Sequence, residues 1–203
     1  MTPKKAILFQ TCIEALLPIL GYFYWNWDAS FILMFYLIDW MLFWALTLFK
    51  ARKRIDFSGN EAEKQVAVKH LALAFLCILS TSLAVFFTLP NMHEGFSWTE
   101  RIWAFLSYSD MGIQQGFVLI PLMVLSGYLT YKQQFLLPQL FRKYPVSQFT
   151  REGVKQGIIL SLAFGIVLAL SYFIRIPDEV ILFGTVLGVV IYRLITRSSL
   201  LFR

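Results

Sequence analysis

Two carboxylates stand inside otherwise apolar sequence. Glu14 interrupts the run from Ala6 to Trp25, and Asp39 the run from Ser30 to Phe49. If both runs are helices that share one membrane face, the two carboxyl groups sit at similar depth, about 12 Å in for Glu14 and about 15 Å for Asp39 at a 1.5 Å rise per residue. An acidic group at the centre of an apolar span costs about 2.5 to 3.5 kcal/mol on insertion scales, so such groups face a protein interior or a cavity and serve a purpose there. Two of them facing one site would hold a proton near neutral pH, because repulsion and desolvation oppose the second ionisation. That is the arrangement of a proton relay or a cation site. The competing reading needs no chemistry: a protonated carboxylic acid bonded to Tyr36, to a backbone carbonyl or to another helix simply ties a bundle together. Asp39 is the stronger candidate, being nearer mid-span.

Other chemistry finds no constellation. A six-helix intramembrane serine protease of the rhomboid type needs a serine in a glycine-rich setting and a histidine within a span. Val124-Leu125-Ser126-Gly127 lacks the first glycine, and neither histidine lies in the last apolar segment. His70 and His93 flank opposite ends of one segment, roughly 34 Å apart along a helix, too far to share a metal or a haem. An intramembrane aspartyl protease needs two aspartates inside spans, and only Asp39 qualifies. Cys12 and Cys77 fall inside apolar segments, with no disulfide framework or metal spacing between them. No dinucleotide fingerprint, P-loop or zincin motif occurs. The sequence therefore implies no catalytic residues, no metal and no cofactor. Ser80, Thr81, Ser82, Gln114, Gln115, Ser126 and Ser161 can bond across helices or back to their own backbone, and read as packing residues. Gly184 and Gly188, four apart, have the spacing for close helix packing, as do Gly157 and Gly165 more loosely. Pro121 predicts a kink.

The elements that carry these residues follow from composition. The 203 residues are 58% hydrophobic, 17% aromatic and 15% charged, whereas a soluble domain carries roughly a quarter charged residues. Lipid is the solvent this pattern fits. An all-α bundle of six spanning helices is expected, at about 6–25, 30–49, 71–89, 111–131, 157–174 and 179–194, forming a single transmembrane domain over 1–203. Each is close to the ~20 residues that cross a ~30 Å hydrocarbon core. Lys4 and Lys5 precede the first run as in a secretory signal, but Glu14 interrupts it and no small-residue cleavage site follows, so it reads as a retained helix. Of the 18 Lys and Arg, only Arg101 and Arg175 fall on the side away from the termini, which the positive-inside rule converts into cytoplasmic N and C termini. The net charge of +6 therefore suits anionic lipid headgroups and not nucleic acid. Aromatic residues at three-to-four spacing around 96–108 predict a helix lying in the membrane interface. Lys50 to His70 reads as a solvated connection, and the third span as ending at Pro90.

The stretch Phe31-Ile32-Leu33-Met34-Phe35-Tyr36-Leu37-Ile38-Asp39-Trp40, continuing through Leu46 to Lys50, resembles a bacterial multi-pass family catalogued as domain of unknown function 6498. That family shows a tyrosine followed three residues later by an acidic residue in an early helix, after a short Gly/Trp-rich turn; Tyr36 and Asp39 match it. A final pair of helices joined by a short turn is also similar. The chain departs in carrying Asp where Glu is more familiar. The resemblance implies a compact bacterial inner-membrane protein and no particular mechanism.

The expectation is thus a non-enzymatic protein of the bacterial inner (plasma) membrane, a subunit or accessory scaffold of a membrane assembly. Its partners would be the lipid bilayer and another protein, or a second copy of itself in a homo-oligomer. The alternative is a small proton- or cation-coupled transporter or channel using Asp39 and Glu14. A lipid-modifying enzyme at the interface is a third reading, without a nucleophile to name.

Overall fold

A computed structural model describes residues 16, 18–24, 27–92, 95–107, 115–171, 173–174, 177, 179–181, 183–188 and 190. Glu14, Cys12, His93 and Gln114 lie outside the described residues, as do the start of the expected fourth span and the end of the sixth. Among those described, all regular structure is helical: α1 (Ala29–Ser58), α2 (Glu61–Met92), α3 (Trp98–Ser107), α4 (Gln115–Tyr131), α5 (Leu140–Lys143) and α6 (Val146–Ser171), with a π-helical turn at Lys132–Leu136. Residues 18–24, 179–181 and 183–188 are helical as well. Two stretches, Ser30–Ser58 and Glu61–Pro90, are long and apolar enough to cross a membrane.

The chain divides into two compact units, Met1–Phe35 with Phe173–Arg203, and Tyr36–Tyr172. In the first, the turn before α1 is held by Trp27. Its amide donates to Gly21 O at 2.9 Å, and its ring lies so close over Gly21 that any Cβ there would overlap it. Trp27 is nearly fully buried, its ring tilted against that of Phe31 with centroids 4.4 Å apart. Asp28 then caps α1: its Oδ1 accepts from Phe31 N at 2.8 Å and from Ser30 Oγ at 2.5 Å, satisfying a backbone donor that the first turn leaves orphaned. Tyr22 Oη donates to Glu179 Oε1 at 2.8 Å, and Phe23 meets Phe183.

In the second unit α1 and α2 form a hairpin longer than its apolar spans. The expected solvated connection over Lys50–His70 is a correction: α1 runs on to Ser58 and α2 starts at Glu61. Helix propensity in this charged stretch, rich in Ala, Arg, Lys and Glu, explains the continuation. Ala51 and Ala67 are fully buried with Val146, so small side chains bring the helices close beyond the apolar region. Gly59 turns the chain at φ +60°, with its amide on Ile55 O, which is the left-handed stop a helix end favours. Asn60 Oδ1 accepts from Ala62 N at 2.9 Å, and Glu61 and Glu63 sit in the first turn, where the helix dipole favours negative charge. At its other end α2 passes through Pro90, expected to end it, and reaches Met92.

The helix expected in the interface forms over Trp98–Ser107 and buries Phe105. Trp98 stacks parallel on Phe86 of α2 with centroids 5.1 Å apart. Pro121 lies inside α4, which continues to Tyr131. The irregularity comes at the π turn, where Leu137 N bonds to Lys132 O at 2.9 Å. Gln139 then adopts φ 54° before α5. This path drives Phe135 and Phe141 inward, where Phe135 packs edge-on against Phe149 of α6.

Candidate functional site

Tyr36 and Asp39 lie one turn apart on α1, within electrostatic reach of each other. The Tyr36 hydroxyl oxygen is buried and Asp39 is half-buried. Three-residue spacing on a helix is what brings the two side chains to one face. Glu14, the expected second carboxylate, lies outside the described residues.

The polar groups of α2 and α6 make a seam. Thr81 Oγ1 and Ser161 Oγ both donate to the carbonyl of Cys77 at 2.9 Å, and the two hydroxyls are 3.0 Å apart. A carbonyl with two lone pairs can take both donors. This is possible because Gly157 lets α6 lie against α2: a Cβ at Gly157 would stand 2.9 Å from Cys77 Cβ and 3.3 Å from Trp40 Cζ2. Trp40, Cys77 and Ile78 form the buried cluster at this point. One end of the seam is closed by His70 Nδ1 and Thr150 Oγ1, 2.7 Å apart, with Thr150 also donating to Val146 O. Thr81 and Ser161 were legible as helix contacts. Gly184 and Gly188, which looked stronger than Gly157 as packing glycines, have no described atom within 4 Å of a Cβ built on either.

A third feature, missed in the sequence, lies at the charged end of the α1–α2 hairpin. Arg54 holds Glu63 in a bidentate pair at 2.8 Å and 2.8 Å, and its remaining Nη1 donates to Phe141 O at 2.9 Å. One guanidinium thus fastens α1 to α2 and to α5. The hydrogen bonds from Arg54 hold the Glu63 carboxyl below the usual carboxylate range. Around this clamp, Lys53 stands 5.6 Å over the Phe141 ring and Arg142 5.5 Å over Phe57. The contacts to Phe141 and Arg142 join residues distant in sequence, so no local motif announced them.

Between α1 and α4 runs a groove of about 250 Å³, walled by Leu42, Leu46 and Phe49 on one side and by Met123, Gly127 and Tyr131 on the other. It presents no polar surface. Among the described residues, no three His, Cys, Asp or Glu side chains gather as a metal site would need.

No protein-family model, curated protein or solved structure matches this chain.

Proposed function

We propose that the chain is a multi-pass protein of a bacterial inner membrane, with six spans near 6–25, 30–49, 71–89, 111–131, 157–174 and 179–194 and both termini cytoplasmic. In it the bundle serves as a non-catalytic subunit or scaffold of a membrane assembly. The observation that carries this reading is where the polar and apolar groups go. Ser161 Oγ of α6 donates to the Cys77 carbonyl of α2, beside the Thr81 hydroxyl, while large apolar side chains such as Leu76, Leu83, Leu122, Leu125 and Leu162 stay exposed. Such surface is a liability in water and the ordinary finish of a protein in lipid. Polar groups used as interhelical ties support a packing role over a reaction.

Mild-detergent purification of the tagged protein from its membrane, followed by mass spectrometry, tests the reading. A protein partner recovered in constant stoichiometry is the expected result. Recovery of the chain alone, with ion flux in vesicles that Asp39→Asn abolishes without unfolding it, replaces this reading by the second one. That second reading, a proton- or cation-coupled transporter, draws on the half-buried Asp39 beside Tyr36.

A further inference from the structure

The groove between α1 and α4 continues into the charged end of the hairpin along one stripe of α1. Leu42, Leu46, Phe49, Lys53 and Phe57 follow one another at three- and four-residue steps, the spacing that keeps side chains on one helix face. Lys53 therefore stands about 6 Å beyond Phe49 along the helix axis. It is exposed and faces the Phe141 ring, which Arg142 also approaches along with Phe57. Arg54 is already committed to Glu63 and to the Phe141 carbonyl. Neither Lys53 nor Arg142 has a carboxylate within ion-pair distance among the described residues. Lys53 thus stands one turn beyond the apolar slot on the same face of α1, and Arg142 shares the Phe141 ring with it. At about 250 Å³ the slot falls below the roughly 300–1,000 Å³ of pockets for compact drug-sized ligands. An apolar slot of this size can hold a segment of a slender hydrocarbon chain.

We infer that this groove binds one anionic phospholipid of the surrounding bilayer, with an acyl chain between α1 and α4 and the phosphate at Lys53 and Arg142. The inference rests on the membrane reading above, since only a bilayer supplies such a chain at this depth. Gly127 sets the groove's width: a Cβ there would come 2.9 Å from Leu46 Cδ1, a movable side-chain tip. A larger residue at that position fills the slot by displacing Leu46 into it. Each basic side chain beside an anionic headgroup contributes about 1 kcal/mol, which corresponds to about fivefold in affinity.

Native mass spectrometry of the full chain in mild detergent, titrated with phosphatidylglycerol or with phosphatidylcholine of equal chain length, tests the site. Wild type should bind phosphatidylglycerol more tightly, and glycerol phosphate without acyl chains should not bind. Lys53→Gln and Arg142→Gln, both at exposed positions, should each cost about fivefold of that preference, and Gly127→Leu should weaken both lipids. An undiminished preference in the Lys53→Gln/Arg142→Gln double variant overturns the headgroup assignment, and it decides the matter even if Gly127→Leu fails to fold. Unchanged lipid affinity in a folded Gly127→Leu protein overturns the groove. Equal binding of free glycerol phosphate would mean an anion site with no lipid. Recovery of the chain outside the membrane fraction would instead sink the membrane reading itself.

Discussion

Replacing Gly157 by alanine tests the packing of the core where its tolerance is smallest. The added methyl group would stand 2.9 Å from Cys77 Cβ, an atom fixed to the α2 backbone that no rotamer change can move aside. The helices must separate or the side chains must leave their rotamers, which costs about 1–3 kcal/mol in a packed core. Separation also lengthens the hydrogen bond from Ser161 to the Cys77 carbonyl, worth roughly 0.6 kcal/mol where such bonds join helices in lipid. Against this, alanine improves helix propensity by up to about 1 kcal/mol. Steric cost wins, and the net loss should be about 1–3 kcal/mol. Gly165→Ala is the control, because no described atom lies within 4 Å of a Cβ there; it should be neutral or stabilise by up to about 1 kcal/mol. Unfolding by sodium dodecyl sulfate in mixed micelles, followed by tryptophan fluorescence, reads both. Adding Cys77→Gly to Gly157→Ala removes the obstructing atom, so the pair should be less destabilised than the sum of the single changes. A Gly157→Ala protein as stable as wild type, or two single variants that add, would refute the close approach of α6 to α2.

The Arg54–Glu63 clamp predicts an acid limb in stability. Because the Glu63 carboxyl is held below its ordinary range, its contribution is fully present above about pH 4.3 and is lost as pH falls through the lower folded value. Thermal melts across that window should flatten in Glu63→Gln by about 1 kcal/mol, and an unchanged slope would mean the clamp is absent in solution. At the hairpin tip, Gly59→Ala should cost about 1 kcal/mol through backbone strain alone, since φ is +60° and the space around it is open. Gly59→Asn should cost less, and equal losses for the two would refute the left-handed turn.

Apolar run length was enough to place the helices around 30–49 and 71–89, because a continuous hydrophobic stretch has few alternatives to a helix in lipid. It was not enough to end them. Beyond Phe49 the sequence turns charged, and polarity was read as a loop, although Ala51 and Ala67 carry a helix contact that needs only two small side chains. The same limit applies to the glycines. Spacing alone does not show close approach, which depends on what stands opposite, and Cys77 and Trp40 stand opposite Gly157. Thr81 and Ser161 could be named as helix contacts from their types, while their common acceptor could not. The groove was invisible for a further reason: its two walls lie far apart in the chain, and each reads alone as ordinary apolar helix.

The overhang of the hairpin also makes the protein tractable to imaging. At 30 residues α1 is about 45 Å long, against a hydrocarbon thickness of ~30 Å. In the proposed membrane the excess would emerge beside α2 as a paired stem, stiffened by the Arg54 clamp and ending in a two-residue turn at Gly59 and Asn60. A chain of 203 residues, embedded as proposed above, would offer little contrast for particle alignment in electron microscopy. A helical fusion partner spliced into that turn would inherit the stem's rigidity and, in the proposed membrane setting, stand clear of the detergent belt, serving as a fiducial while leaving the other helices untouched.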